Sequence, residues 1–432
     1  MDNTTTDSIS FRGLIFVLVI LPTTMCGWLG MAVPAFLLLQ FAPSYYRWWV
    51  HVVGKFWFSH VVFLIEVIFG VRFRFYGDAI APGESALVIS NHRTRIDWML
   101  LWSYFLRIDA LHPLRIVLKH GLKKVPFFGW AMQCMNFIFL RRAWADDEAY
   151  LKRTFAYTRR VAASDPARTM VLLFPEGTDL SESSLTRANA WAKTHRPDLT
   201  APRVHTLHPR TTGFSHFVRG LGSSIDSILD VTMAYVDYTP GERPNEKSLL
   251  SGRMPREVHV CVKRHAIRDL AAAARGGGGG DRGSRSDSGD SIDDAFLRRW
   301  CTEIFDEKEA NLAEFYSEGG EQGAEAAGDD ATTTFCGAAP MAAAALPVSL
   351  APALALTGLF WFALWGVVLR IAPHAVFWAV VPATAWTRQL LWAGCALALA
   401  ATFQTMTSSA LGGIDMLELK REEERAGPEK AK

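Results

Sequence analysis

The segment Val88–Asp97, with the sequence VISNHRTRID, joins an apolar run to two side chains with catalytic potential. The apolar start predicts a buried strand; His92 follows it, and Asp97 comes five residues later. An imidazole can take a proton from a hydroxyl when a carboxylate holds its other ring nitrogen. We expect Asp97, on the first turn of the next helix, to reach back to His92. The same spacing fits a capping box between Thr94 and Asp97, so this motif alone leaves both roles open.

A second segment, Met170–Thr178 (MVLLFPEGT), places an acidic residue beside a glycine at the end of another predicted strand. Ligands of open α/β sheets bind beyond the carboxyl ends of the strands, and glycine allows the backbone to approach them closely. An ordinary turn would explain Pro175 and Gly177 but not the acidic residue between them. We therefore predict a functional role for Glu176.

Basic residues occur where predicted strands end and in one loop. Phe137–Arg142 (FIFLRR) ends in arginine, which binds phosphate through paired, charge-assisted hydrogen bonds, although a solvated arginine pair would give the same pattern. Leu207–Phe214 (LHPRTTGF) clusters basic and hydroxyl residues, as do loops that only turn the chain. Lys119, near another predicted strand end, could add positive charge, but a lysine there is more often merely solvated.

Short apolar runs and helical stretches alternate between residues 71 and 316. This alternation predicts an α/β domain with a mostly parallel, buried sheet and surrounding helices. The predicted strands are Ala86–Ser90, Leu114–Leu118, Phe137–Leu140, Thr169–Phe174, Ile228–Val236 and Val258–Val262, and the predicted helices are Ile96–Leu106, Asp146–Ala163 and Arg187–Lys193. Within this domain, 271–293 is rich in alanine, glycine and serine, a composition that predicts a disordered insertion.

Apolar segments lie on both sides of the α/β domain, in a sequence of 432 residues of which 50% are hydrophobic. Phe11–Phe41 carries only the charge of Arg12, so it can cross a bilayer once, or enter it and return at Pro22 or Pro34. Val52–Phe69 is more polar and suits an interfacial or buried helix. The predicted organisation is a membrane-anchoring part (1–70), the α/β domain (71–316), a linker (317–346), C-terminal transmembrane helices (347–408) and a charged tail (409–432).

Charge and cysteine content exclude several classes of protein. The formal net charge is +2, from 45 basic and 43 acidic residues, which gives no field to attract nucleic acid. The six cysteines are scattered without a CxxC pair, which argues against a disulfide framework and against a structural zinc site. The chain has no G-x-S-x-G nucleophile elbow, so a serine hydrolase is a weak alternative.

Together and in this order, the motifs resemble those of the PlsC-type glycerolipid acyltransferases, the lysophosphatidate acyltransferase family. The matched residues are Asn91, His92 and Asp97 for Asn-His-x4-Asp, Phe139, Leu140 and Arg142 for Phe-Ile-x-Arg, Pro175–Thr178 for Pro-Glu-Gly-Thr, and Pro209 for the fourth motif. The segments Asn91–Met99, Phe127–Gln133 and His208–Phe214 are similar to the lysocardiolipin acyltransferase branch in particular.

The resemblance implies a glycerol-3-phosphate acyltransferase-like fold and acyl transfer from acyl-CoA to the free hydroxyl of a lysophospholipid. It implies that His92 is the general base and that Asp97 orients it, with no metal and no cofactor. The implied substrate-binding residues are Asn91, Arg142, Glu176, Gly177, Thr178, Arg187, Pro209 and Arg210, with Lys119 as a further phosphate contact. Most family members have an arginine where this chain has Asp179, so Arg142, Arg187 and Arg210 are the nearest substitutes for phosphate binding.

The acceptor stays open between a 1-acylglycerol-3-phosphate and a lysocardiolipin-type lipid. Because both lipid substrates partition into the bilayer, the expected partners are acyl-CoA, a lysophospholipid and the membrane itself. The resemblance favours the endoplasmic reticulum, with mitochondria-associated membranes as a second location. The alternative from a different class is a membrane protein whose acyltransferase-like domain binds lipid without turning it over.

Overall fold

The computed structural model describes residues 8–111, 113–164, 168–199, 201–238, 243–276, 289–317 and 334–341. The chain divides into two compact units. The first comprises Met1–Val17, Val62–Val117 and Glu148–Ala345, and the second comprises Leu18–Val61, Leu118–Asp147 and Leu346–Lys432. The predicted C-terminal transmembrane helices (347–408) and charged tail (409–432) lie outside the described residues, as does most of the predicted linker (317–346).

The predicted mostly parallel α/β sheet is confirmed. The strands among the described residues are β1 (Arg72–Gly77), β2 (Ala86–Ser90), β3 (Leu114–Lys119), β4 (Ile138–Leu140), β5 (Met170–Leu173), β6 (Ser227–Val236) and β7 (Glu257–Ala266). In the first unit they lie in the order β1-β7-β6-β2-β5-β3, while β4 belongs to the second unit. Neighbouring strands of the first unit are parallel except β6 and β7, which are antiparallel.

Each predicted strand is present, with ends shifted by a few residues, and β1 is an addition to the prediction. The sequence of β1, RFRFYG, alternates arginine with aromatic residues, as suits a half-exposed strand at the edge of a sheet. Arg72 and Arg74 both pair with Glu257 at the start of the neighbouring β7. The arginines of β1 interrupt its apolar pattern, so the sequence did not indicate this strand.

The carboxyl ends of β2, β5 and β6 meet at one edge of the sheet. β2 lies between the other two and is parallel to both, and every residue of the three strands is buried. Ser90, the last residue of β2, is opposite Val231, so β6 continues beyond it to Val236. The residues that follow β2 and β5 are thereby brought next to the last part of β6.

The helices cover the predicted helical stretches. Those among the described residues are α1 (Phe11–Phe41), α2 (Pro43–Phe63), α3 (Asp97–Leu100), α4 (Trp102–Arg107), α5 (Phe128–Cys134), α6 (Trp144–Ser164), α7 (Glu182–His195), α8 (Thr211–Leu221), α9 (Glu246–Leu250), α10 (Ile267–Gly276) and α11 (Asp294–Phe315). The disorder predicted for 271–293 is corrected at both ends of that segment, because α10 buries Leu270 and Ala271, and Ile292 is also buried. Residues 277–288 lie outside the described part.

Two long apolar helices begin the described chain. α1 does not reverse at Pro22 or Pro34, so of the two predicted arrangements the structure shows an unbroken helix. Proline lacks an N–H group, and beside Pro22 the Thr23 hydroxyl donates to the Val19 carbonyl at 2.8 Å. The segments Phe11–Ala35 and Pro43–Ile68, with mean hydropathy 2.1 and 1.5, are long and apolar enough to cross a membrane.

Candidate active site

A histidine and an aspartate form a hydrogen-bonded pair just beyond β2, as the spacing predicts. Asp97 is the first residue of α3, and its Oδ2 lies 3.0 Å from His92 Nδ1. The imidazole stacks on Phe174, with ring centroids 4.2 Å apart. The His92 side chain is 16% exposed, and Nε2 has no hydrogen-bond partner among the described residues. One ring nitrogen is therefore held, and the other is open to a substrate.

The Asp97 carboxylate is buried and hydrogen-bonded from several sides. Thr94 donates its N–H to Oδ2 at 3.0 Å and its hydroxyl to Oδ1 at 2.6 Å. Tyr235, on the last part of β6, donates its hydroxyl to Oδ1 at 2.7 Å. The capping contact and the histidine contact thus use the same carboxylate, and the two interpretations of the motif are compatible.

Tyr235 is the residue of this cluster that sequence reasoning missed. It lies in a fully buried apolar strand, where a tyrosine is normally part of the core. Its place at the site depends on the length of β6, which passes the end of β2 and carries Tyr235 to Asp97. A buried tyrosine hydroxyl needs a hydrogen-bond partner, and this need was the available signal.

The electrostatics of the pair favour a basic histidine. Burial alone would lower the pKa of His92, but the hydrogen bond to Asp97 and the negative charges of Asp97 and Glu176 outweigh it, so the pKa is raised. A raised pKa strengthens the imidazole as a proton acceptor at neutral pH. The arrangement can remove a proton from a hydroxyl placed at Nε2 and stabilise the resulting imidazolium.

Glu176 connects two backbone segments of the site. Oε1 accepts the His92 N–H at 2.8 Å, and Oε2 accepts the Leu207 N–H at 2.9 Å. The side chain is 3% exposed, and burial raises its pKa to about 7, against the lowering effect of the two N–H groups and of His92. The family motif predicts that Glu176 binds substrate. In the structure its visible contacts position the backbone of His92 and Leu207.

Asn91 also has a structural contact rather than an open side chain. Its Nδ2 donates to the Met233 carbonyl at 3.0 Å, and its Oδ1 accepts the Met233 N–H at 2.8 Å. The residue is 1% exposed. This double hydrogen bond joins the end of β2 to β6 and so helps to hold His92 in place.

The Pro-Glu-Gly-Thr turn and the fourth motif lie against each other. Gly177 has φ +76°, and a Cβ there would be 2.7 Å from Arg210 Nε. The Arg210 N–H donates to the Pro175 carbonyl at 2.7 Å, and Pro209 is half-buried beside it. The exposed Arg210 guanidinium therefore lies on the turn that contains Glu176. Thr178, the last residue of the motif, is half-buried, with its hydroxyl 3.4 Å from Asp179 Oδ1.

The other predicted phosphate contacts, Arg187, Lys119 and Arg142, are exposed residues. Arg187, on α7, donates to the Ser183 carbonyl of its own helix at 3.2 Å. Lys119 and Arg142 belong to the second unit. Arg142 has φ +65° and its N–H donates to Asp147 Oδ2 at 2.8 Å. Contact of these three side chains with a substrate phosphate stays a prediction. No cluster of three or more His, Cys, Asp or Glu residues within the described ranges could hold a metal ion.

Comparison with known proteins places this site in a family. A family model described as Acyltransferase matches residues 72–236. Lysocardiolipin acyltransferase 1 of Danio rerio is 37% identical over 310 residues, which cover 71% of this chain and 72% of that protein. The chain belongs to the PlsC-type glycerolipid acyltransferase family. The resemblance drawn from the four motifs is confirmed.

Other members of the family and a solved structure are also similar. "Probable 1-acyl-sn-glycerol-3-phosphate acyltransferase 5" of Arabidopsis thaliana is 30% identical over 314 residues, covering 71% of this chain and 74% of that protein. The crystal structure of the 1-acyl-sn-glycerophosphate acyltransferase PlsC from Thermotoga maritima has a TM-score of 0.39 and 14% identity, covering 71% of this chain and 99% of that one. Within the PlsC-type family, His92 and Asp97 are the residues of the Asn-His-x4-Asp motif.

Proposed function

We propose that this acyltransferase moves an acyl chain from acyl-CoA to the free hydroxyl of a lysophospholipid, with His92 as the general base. The observation that carries the proposal is the open Nε2 of an imidazole whose Nδ1 is held by a buried carboxylate. Family membership supports the reaction class. The donor and the roles of His92 and Asp97 are part of the proposal.

The proposed chemistry needs one proton acceptor and one leaving group. Nε2 of His92 takes the acceptor's hydroxyl proton while the oxygen attacks the thioester carbonyl, and Asp97 stabilises the imidazolium. Collapse of the tetrahedral intermediate breaks the carbon–sulfur bond. The CoA thiolate leaves and takes up the proton from His92, which restores the neutral base. No metal, cofactor or acyl-enzyme is required.

The proposed acceptor carries a phosphate. The names of the two relatives specify lysocardiolipin and 1-acyl-sn-glycerol-3-phosphate, and both lipids contain phosphate. Arg210 is the best-placed substitute for the arginine that Asp179 replaces, because its guanidinium packs on Gly177 of the same motif and is exposed. We propose Arg142, Arg187 and Lys119 as further phosphate contacts, and Gly177, Thr178 and Pro209 as the wall of the acceptor site.

The enzyme is proposed to act on a membrane. The apolar segments Phe11–Ala35 and Pro43–Ile68 are long enough to cross a bilayer or to lie in it. Both proposed lipid substrates partition into such a bilayer, so an anchored enzyme meets them without extracting them first. The endoplasmic reticulum, with its associated mitochondrial contacts, is the proposed location.

The test is CoA release by the full-length protein in detergent–lipid micelles, with oleoyl-CoA and a panel of lysophospholipids. His92→Ala removes the proposed base, and we expect turnover to fall about 10²–10⁴-fold. His195→Ala is the matched control, because His195 is an exposed histidine on α7. Lipid binding without CoA release in the presence of any acceptor would favour the non-catalytic alternative. Full turnover in His92→Ala would refute the role of His92.

A further inference from the structure

A pocket of about 270 Å³ lies beside the segment that carries the catalytic histidine. Its walls come from the end of β2, the end of β6, α11 and the loops between them. The lining residues are Asn91, Arg93, Leu180, Val204, His205, Met233, Asp237, Arg243, Leu312 and Tyr316. None of the mechanistic steps above uses this pocket, and His92 itself is not among its lining residues.

Two guanidinium groups line the pocket. Arg93 donates to Asp237 Oδ2 at 2.7 Å and lies 4.4 Å from the ring centroid of Tyr316. Arg243 donates to the Leu180 carbonyl at 2.7 Å, and its other N–H groups have no hydrogen-bond partner among the described residues. Among the lining residues, these two guanidinium groups face one carboxylate, that of Asp237.

The surroundings of Arg243 disfavour its positive charge. Burial and the nearby positive charge of Arg93 lower the pKa of Arg243. Burial, together with the same two arginines, lowers the pKa of His205 in the pocket wall, against the raising effect of the Glu309 charge. A bound anion would relieve the repulsion between these cations, because its charge would offset theirs in a partly desolvated place.

Short contacts join the pocket to the catalytic residues. The Leu180 N–H donates to the His92 carbonyl at 2.8 Å, and the Leu180 carbonyl accepts from Arg243. Arg93 follows His92 in sequence and lies 5.7 Å from the ring centroid of Tyr235, whose hydroxyl holds Asp97. A group bound between Arg93 and Arg243 is therefore next to the segment that positions the base.

The chemistry of the walls fits a phosphate attached to a carbon skeleton. Guanidinium groups bind phosphate oxygens through paired, charge-assisted hydrogen bonds. Val204, which is exposed, and Leu180 add apolar surface on which carbon atoms can pack. We propose that Arg93 and Arg243 bind a phosphate group of one of the two substrates, the lysophospholipid or acyl-CoA. This proposal rests on the proposed function.

Kinetics of the full-length enzyme with Arg243→Gln distinguish the two sources of phosphate. We expect the KM of one substrate to rise about tenfold, because the variant loses one charge-assisted hydrogen bond to the phosphate. The kcat should be nearly unchanged. A raised KM for the lysophospholipid assigns the pocket to the acceptor, and a raised KM for oleoyl-CoA assigns it to the donor. Arg299→Gln is the matched control, because it removes an exposed arginine of α11. Unchanged KM values for both substrates would overturn the proposal.

A binding measurement separates this proposal from the proposed function. The probes are sn-glycerol 3-phosphate for the acceptor and CoA for the donor, and the readout is the effect of each on the thermal unfolding of full-length His92→Ala, with and without Arg243→Gln. We expect Arg243→Gln to weaken the apparent affinity for one of the two probes about tenfold even though His92→Ala is inactive. If the wild-type enzyme releases no CoA but the difference in affinity persists, the proposed pocket is supported and the proposed reaction is refuted. Equal affinities of the two proteins for each of the two probes would contradict the pocket.

A conservative variant covers failure of Arg243→Gln to fold. Arg243→Lys keeps the positive charge but loses the planar pair of N–H donors, so we expect an intermediate rise in the same KM. Wild-type KM values in Arg243→Lys, when Arg243→Gln is unfolded, would assign Arg243 to folding alone.

Discussion

The described part of the first unit contains two clusters that each combine a histidine, a carboxylate and a tyrosine, and only the cluster around His92 has the geometry of a base. In the active site, His92 is joined to Asp97 at 3.0 Å, and Tyr235 donates to that aspartate at 2.7 Å. At the other cluster, His259 Nε2 lies 2.9 Å from Glu257 Oε1, and Tyr76 OH lies 3.0 Å from His259 Nδ1. Composition alone does not separate a histidine–carboxylate–tyrosine set that can catalyse from one that cannot.

The two clusters differ in where they sit on the sheet. His259 is the third residue of β7 and lies within the strand, with its side chain 2% exposed, and Phe315 and Phe335 pack against its ring. Both of its ring nitrogens face a neighbouring polar group. His92 comes after the end of β2, is 16% exposed and keeps Nε2 open. A strand interior buries both sides of a ring, whereas a strand end leaves one side for a substrate.

The largest difference in activity between the two clusters is expected when their carboxylates are substituted. Asp97→Asn removes the charge that holds His92, and we expect kcat/KM to fall about 10³–10⁴-fold, as loss of the orienting aspartate does in catalytic triads. Glu257→Gln should leave kcat/KM within about threefold, since it changes packing and stability only. Steady-state kinetics and melting temperatures of both variants check this. A comparable loss of activity in folded Glu257→Gln would erase the distinction.

A smaller effect is expected from Glu176, which has no counterpart around His259. Glu176→Gln leaves one oxygen for the two N–H groups of His92 and Leu207. We therefore expect the free energy of unfolding to fall by about 1–3 kcal/mol, and kcat to fall as well. Urea unfolding with parallel kinetics measures both. Unaltered stability and kcat would show that the two hydrogen bonds do not position His92.

The pH dependence of stability tests the direction of the pKa shift of Glu176. The pKa of Glu176 rises from 4.5 to about 7 in the folded protein. The folded state therefore binds the Glu176 proton more tightly than the unfolded state does. The contribution of Glu176 to the free energy of unfolding is fully present below pH 4.5 and is lost as pH rises through about 7. Glu176→Gln should remove that loss from the wild-type stability profile.

The smallest effect is expected from the tyrosines. Tyr235→Phe removes one hydrogen bond to Asp97, and we expect kcat/KM to fall about threefold to tenfold. The aspartate charge then acts more strongly on His92, whose pKa is already raised, so the acid limb of kcat/KM should move to higher pH. Tyr76→Phe should leave that limb in place. A shift to lower pH in Tyr235→Phe would contradict this view of the hydroxyl.

Much of the architecture follows from local patterns. The apolar runs of β2, β5 and β6 are buried strands because parallel strands covered on both faces need apolar side chains throughout. The contact of His92 with Asp97 also follows from local spacing, since a carboxylate on the first turn of a helix can reach the residue before the turn. Edge strand β1 escaped prediction because its arginines interrupt the apolar pattern.

Sequence patterns predict the buried strands, the paired histidine and aspartate, and the motifs that place the chain in its family. The contacts that hold this pair, and the pocket of Arg93 and Arg243, follow from the folded chain. Asn91 meets Met233, Asp97 meets Tyr235 and Glu176 meets Leu207. Arg93 and Arg243 likewise share one pocket. The physical reason is the parallel sheet, which brings strand ends far apart in sequence to one edge, where spacing along the chain no longer predicts contact.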